Sequence, residues 1–483
     1  MSNTLVMKFG GTSLGNASAI SQVACLTQDA RVEWPNVAVV VSAMSGVTSA
    51  LLEGANKAAS GDGSSYRLIT NQLREKHVQT TEELLETDDE RVKTLERIDA
   101  HLSEAEALCH AVRVLGELSP RALDAISSRG ERIATHILSA HLREKDCPAE
   151  AVRASDIIRT DSIFQAANPD MESTRTLTRK LVKPILDSGT VPVITGFMAA
   201  NKDGAITTLG RGGSDFSATI IASCLDADEV WIWTDVDGVM TADPRVAINA
   251  RTITTVSYQE IGALAYAGAK VLHPMTVGPV MIDNIPLRIR NTFNPAGPTT
   301  LVTENNVSSE TRRTNKAPNG KDGHDGILRA VTTIRDHTLI TVEGRGMIGV
   351  QGIAARTFSS VAHTRTSVAL ITQASSEQNI CFAIPAAAAD TVLTSLEQEF
   401  RRELQRGEID SVLAREGVVI VTAVGNGIQD TPGISGRIFS ALGDRGVNVI
   451  AIAQGGSESS ISLIVNSEDA DDAVRTIHDL IVA

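Results

Sequence analysis

A lysine followed by two glycines stands near the start of this chain, in Lys8-Phe9-Gly10-Gly11-Thr12-Ser13. The apolar run Leu5-Val6-Met7 before it reads as a strand, and residues 17–26 after it suit a helix. Glycine lets the backbone approach an anion, the following N–H groups point at it, and lysine adds charge. The order is not that of a Walker A loop, whose lysine follows its glycines. Alone, the turn could equally be structural punctuation. Residues 207–215 (TTLGRGGSD) are less neutral, with glycines on both sides of Arg211 just before an apolar helix at 216–224. Close approach, a helix N-terminus and a guanidinium suit a carboxylate, unless the segment is only a flexible hairpin.

Three more clusters carry usable side chains. Ser42-Ala43-Met44-Ser45-Gly46-Val47-Thr48 leaves the strand Val37-Ala38-Val39-Val40-Val41 and enters a helix, which places hydroxyls and amides where α/β sheets hold ligands, or forms an ordinary N-capping turn. Arg129-Gly130-Glu131 lies in a helical stretch, where a lone glutamate is usually solvated. The strand 229–233 runs into Thr234-Asp235-Val236-Asp237-Gly238, with Asp243-Pro244-Arg245 beyond; those aspartates could hold a nucleotide or shape turns. A second lysine, Lys270, sits among small and apolar residues in GAKVLHP (268–274).

Short apolar strands alternating with long helical stretches must position these groups. The stretches 68–114 and 120–145 are helix-periodic, and the alternation predicts an α/β fold with a largely parallel sheet. At 483 residues the chain holds two or three domains. A net charge of −14 argues against nucleic acid or anionic membrane as partner, and no membrane-spanning run or signal peptide is present. The five scattered cysteines read as buried small hydrophobes in a reducing compartment, with the cytoplasm as default. Residues 303–326 are polar and Gly- and Asn-rich, as a linker or exposed loop would be.

Beyond that segment lies a repeat. Gly344-x-Gly346 recurs as Gly425-x-Gly427, an offset of 81 that also carries Gly352-Ile353 onto Gly433-Ile434, Ile371 onto Ile452 and Gln373 onto Gln454. Each copy reads strand, Gly-rich turn, helix, strand, turn, strand, helix, and two such units can bury each other's apolar faces.

KFGGTS, RGE, TTLGRGGSD, WTDVDGV with DPR, and GAKVLHP resemble in order and spacing the amino-acid kinase family, and within it the aspartate kinases. The resemblance spans essentially the whole chain, and the repeat is similar to that family's paired ACT domains, SSE turns included. It implies an amino-acid-kinase three-layer α/β sandwich at 1–302, the linker at 303–326, and two ferredoxin-like βαββαβ-type ACT domains at 327–410 and 411–483.

The activity implied is transfer of the ATP γ-phosphoryl to the side-chain carboxylate of L-aspartate, the first step toward lysine, threonine and methionine. Such a nucleophile is already ionised, so the task is to bring an anion to a polyanion. By resemblance, Lys8, Asp215 and Lys270 are the catalytic set, with Asp215 orienting the lysines. Lys8, Gly10, Gly11, Thr234, Asp235, Arg245 and Lys270 contact the nucleotide. Arg211 clamps the substrate α-carboxylate, Glu131 pairs with its α-amino group, and Ser42 and Thr48 complete that pocket. Mg²⁺ arrives with ATP, and no protein residue is assigned as a metal ligand. Ile371, Gln373, Ile452 and Gln454 resemble effector contacts, for threonine first and lysine second. Oligomers, with a dimer through the ACT domains, are expected. Met240 and Met275 depart from the tyrosine and arginine that relatives carry there. A glutamate or N-acetylglutamate kinase and a non-catalytic amino-acid sensor are the rival readings. Bifunctional relatives append a homoserine dehydrogenase; no dinucleotide fingerprint follows the repeat, which predicts a monofunctional chain unless this is a fragment.

Overall fold

Strands with no exposed face need cover on both sides, and the first strand, β1 (Thr4–Phe9), is buried at every position. The computed structural model describes residues 3–269, 271–304, 326–347, 350–374, 378–454 and 459–482. By packing the chain divides into two compact units, Met1–Val239 with Thr252–Ile261 and Val271–Arg313, and Met240–Arg251 with Gly262–Lys270 and Thr314–Ala483. Two short segments from the region 1–302 thus count with the second unit.

In the first unit, β2 (Asn36–Val41), β3 (Ala149–Val152), β5 (Val191–Thr195), β8 (Glu229–Thr234), β9 (Thr255–Val256), β10 (Leu287–Asn291) and β11 (Thr300–Val302) join β1 in the order β3-β5-β2-β1-β8-β10-β11-β9. Every neighbouring pair is parallel except β10 with β11, so the largely parallel sheet is as expected. Leu5, Met7, Phe9, Val37, Val39, Val41, Trp231 and Trp233 share one face and join the core of the helices Ala17–Glu33, Val47–Ala59 and Arg129–Glu144. The alternate residues Val6, Ala38, Val40 and Ile232 are also buried, and the helix Gly213–Leu225 packs against β1, β2 and β8. A small sheet of β4 (Arg159–Thr160), β6 (Met198–Asn201) and β7 (Ile206–Thr208) completes the unit.

The long helical stretches are broken where no periodicity marks a break. One gives Ser65–Leu84 and Asp88–Leu115, the other Pro120–Ser127 and Arg129–Glu144. Glu131 therefore sits in the first turn of a helix rather than mid-helix. Among the described residues no helix is long and apolar enough to cross a membrane.

The second unit holds β12 (Leu328–Glu343), β13 (Leu370–Gln373), β14 (Asn379–Pro385), β15 (Ser411–Gly425), β16 (Ala451–Ala453) and β17 (Ser460–Asn466), ordered β13-β14-β12-β15-β17-β16 with every pairing antiparallel. The two long strands each serve twice. Residues 337–343 of β12 pair with β14, and residues 418–424 of β15 pair with β17, which is the 81-residue repeat in space. The remaining halves are exchanged: Leu328 to Ile334 lie along Gly425 to Ile420, and Arg415 to Ser411 lie along Leu339 to Glu343. The repeat glycines mark these crossings. A Cβ on Gly425 would lie 1.8 Å from the Ile327 carbonyl oxygen, and one on Gly344 would lie 2.6 Å from Ile409 Cα. Each copy keeps its own core, one around Ile340, Phe382 and Leu396, the other around Val421, Leu463 and Ile477.

Candidate active site

Parallel strands end on one side, and the carboxyl ends of β1, β2, β5 and β8 bring the sequence clusters together there. Gly10 N–H donates to the Trp233 carbonyl at 3.2 Å, Ser42 N–H to Phe9 at 3.1 Å and Gly196 N–H to Val41 at 2.8 Å, so each turn is fixed to its neighbour's strand end. Lys8 Nζ lies 2.5 Å from Asp215 Oδ1, with both side chains largely buried. Asp215 itself is in the first turn of the helix Gly213–Leu225.

Glycine is required here by space. A Cβ on Gly11 would come within 3.1 Å of the Ala43 carbonyl oxygen, and one on Gly130 within 2.7 Å of Ala43 Cβ. Those two clearances stack the first turn, the 42–48 loop and the helix Arg129–Glu144 on one another. Below them Glu131 is 3 % exposed and accepts the Ala43 N–H, while its Oε2 has no partner among the described residues. Burial pushes this carboxyl up to about 7, against the pull of two backbone N–H groups.

The loop that carries Arg211 is pinned by residues the sequence reading did not assign. Asp124, 1 % exposed, accepts Thr208 N–H at 3.0 Å, Thr208 Oγ1–H at 2.7 Å and Gln165 N–H at 2.9 Å. Gly210 and Gly212 have φ of 75° and 68°, and a Cβ on Gly212 would lie 2.2 Å from His273 Cβ. His273 is lowered by burial and then by Arg211, with Asp215 opposing, which places it near both. Arg211 itself is exposed.

Ser42 and Thr48 are half-buried at the head of the 42–48 loop and in the helix that follows. Thr234 ends β8, and its hydroxyl donates to Asp235 at 3.2 Å. Asp237 is a turn residue, accepting from Asn291 at 2.8 Å and Asn294 at 3.1 Å. Arg245 belongs to the second unit, where its exposed guanidinium pairs with Asp243 at 2.6 Å. Lys270 and the SSE turns lie outside the described residues. Ile371 and Gln373 are exposed on β13; Ile452 is exposed on β16, with exposed Gln454 next in the chain, and these two edge strands approach each other. Among the described residues no three His, Cys, Asp or Glu side chains gather as a metal-holding group.

A lysine-bearing glycine turn and a buried acid stand at the carboxyl edge of a parallel sheet. The amino acid kinase family model matches residues 3–291, and the chain belongs to that family. An ACT-domain model matches residues 340–400 and 421–480. The chain is 35 % identical over 476 residues to the bifunctional aspartokinase/homoserine dehydrogenase 2, chloroplastic, of Zea mays, covering 98 % of this chain and 50 % of that one. It is 32 % identical over 489 residues to aspartokinase 2, chloroplastic, of Arabidopsis thaliana, covering 98 % and 84 %. The chain spans about half the length of the bifunctional relatives it matches. E. coli aspartokinase III, solved with aspartate and ADP in its R-state, superposes with a TM-score of 0.80 at 29 % identity, covering 99 % of this chain and all of that one. Its T-state, solved with lysine and aspartate, gives 0.77 at 29 % identity and full coverage of both chains.

Proposed function

We propose that the chain is an aspartate kinase that phosphorylates the side-chain carboxylate of L-aspartate with ATP, the first step of aspartate-derived amino acid synthesis, under feedback through its ACT domains. One observation carries the choice of acceptor. Glu131, a buried carboxylate, has an unpartnered oxygen and no paired cation among the described residues, and the α-ammonium of an amino acid supplies one. Arg211, exposed at the tip of its glycine loop, takes the α-carboxylate bidentately, and Ser42 and Thr48 close the pocket. The substrate's second carboxylate then attacks without a general base.

Lys8, held in place by Asp215, offers charge where the transferring phosphoryl gathers it. Because the Gly10 N–H is committed to Trp233, phosphate binding falls to Gly11 and Lys8, with Gly10 contributing its lack of a side chain. Thr234 and Asp235 serve the nucleotide, as do, on the likeness alone, Arg245 and Lys270. Mg²⁺ would be held through the nucleotide's phosphates and water, a mode that needs no cage of protein carboxylates, and would neutralise charge there.

Regulation follows the repeat. We assign Ile371, Gln373, Ile452 and Gln454 to effector binding, with threonine favoured because a glutamine amide both donates and accepts, and lysine second because E. coli aspartokinase III was solved with it. A homodimer through the ACT domains, a division at 302, 326 and 410, and a cytoplasmic setting complete the proposal. The test is ATP turnover with aspartate, glutamate or N-acetylglutamate as acceptor, and with threonine, lysine and methionine added singly and in pairs. Aspartate-dependent ADP release, with inhibition by threonine, is expected; turnover indifferent to aspartate would overturn the assignment.

A further inference from the structure

The 42–48 loop lies between the phosphate side of the candidate site and its acceptor side, and its parts are held differently. At its start, Ser42 N–H donates to the Phe9 carbonyl and Ala43 N–H to Glu131. Its crest, Met44-Ser45-Gly46, lies across the glycine turn instead. A Cβ on Gly11 would come within 3.7 Å of Ser45 Cα, and one on Gly15 within 3.7 Å of Ser45 Cβ. Among the described residues no hydrogen bond joins 44–46 to 11–15. Ser45 and Gly46 are exposed on their other side, and Gly46, with φ of 81°, does little to stiffen the backbone.

One side chain from elsewhere reaches this crest. Lys76, on the helix Ser65–Leu84, donates from Nζ to the Ser45 carbonyl at 2.6 Å. Among the described residues no other side chain bonds the backbone of 44–46, and no acid pairs with Lys76. The helix offers it none: one turn to either side stand Gln72, Leu73, Gln79 and Thr80. Lys76 is half-buried, and burial lowers its pKa from the ordinary lysine value. An ammonium is thus drawn partly out of water for one carbonyl, with no counter-ion to offset the cost. The contacts from Gly11 through Ser45 keep that ammonium within about 9 Å of the glycine turn.

We infer that Lys76 is a positioning residue for phosphoryl transfer. Its ammonium clamps the Ser45 carbonyl, holds the crest of the 42–48 loop on the Gly11 turn, and so keeps the acceptor pocket in register with the phosphate side. The inference rests on the aspartate kinase reading and adds to it a residue that acts through the loop. Lost register between reacting groups lowers the rate of the bound complex. A charge acting only at long range would instead change the affinity for ATP and fade with salt.

Two variants of the full chain separate these cases. Lys76→Met removes the donor at nearly constant length, and Lys76→Arg keeps a charged donor. In Lys76→Met, kcat with aspartate should fall about tenfold while the KM values for aspartate and ATP stay within about threefold; Lys76→Arg should recover most of the loss. Hydrogen exchange of the ligand-free chain gives a second readout that does not depend on the acceptor. Backbone amides of residues 42–48 should exchange faster in Lys76→Met and at the native rate in Lys76→Arg, with the rest of the chain unchanged. A native kcat or native exchange in Lys76→Met overturns the inference. So does failure of Lys76→Arg to rescue, or a raised KM for ATP that vanishes in about 0.5 M salt with kcat intact. Turnover of the native chain indifferent to aspartate would overturn the kinase reading instead, and the exchange rates would still decide whether Lys76 clamps the loop.

Discussion

Two side chains in the candidate site make opposite electrostatic demands, and each can be tested alone. Lys8 is paired with Asp215 at 2.5 Å, so its charge is positioned in advance. Lys8→Ala should lower kcat well over tenfold, since a lost transition-state donor costs about 3 kcal/mol, whereas Arg211→Ala should act mainly on the KM for aspartate. Glu131 is the reverse case, an acid raised by burial from 4.5 to about 7. A carboxyl raised on folding contributes stability that is complete below its unfolded value and is lost as pH climbs through the folded one. Thermal melts of the unliganded chain should therefore lose more stability between pH 4.5 and 7 than those of Glu131→Gln. A bound ammonium needs the ionised acid, so the KM for aspartate should fall as pH rises through about 7, and that dependence should vanish in Glu131→Gln. Lys8 was legible in the sequence because a glycine pair follows it. Glu131 was legible only through its family likeness, since nothing in Arg-Gly-Glu announces that the 42–48 loop will bury it.

Whole elements hold these side chains through a few long-range contacts. Asp124 links the helix Pro120–Ser127 to the end of β7 and to Gln165, whose φ of 70° is strained for a residue with a side chain. Asp124→Ala leaves buried N–H groups without acceptors and should cost about 3 kcal/mol in urea unfolding, with a raised KM for aspartate as the Arg211 loop loosens. The strands themselves were legible, because continuous apolar runs such as 37–41 fit little else. The Asp124 contacts were not, because an aspartate meeting a strand 84 positions away leaves no local pattern. For the same reason the helix break at Ser128, which brings Glu131 into a first turn, passed unseen within a stretch of continuous helical periodicity.

At the scale of the molecule, the repeat offset was plain in the sequence, but the partner of each half-strand was not. Period-2 patterning says which face of a strand is apolar and leaves the neighbour unnamed. The neighbour matters, because Leu328 and Val331 belong to the core of the second copy and Val412 packs on that of the first. A chain ending at residue 410 should therefore lose both regulatory cores and not one, seen as strong binding of a hydrophobic dye and loss of a cooperative C-terminal melt. The exchange also sets a timetable. During synthesis Leu328 leaves the ribosome long before Gly425, its partner in the ladder, exists. The first copy likewise waits for Ser411 to close its edge against Glu343. The first copy thus closes only once the second has begun, so its edge stays open until the start of β15 has been made.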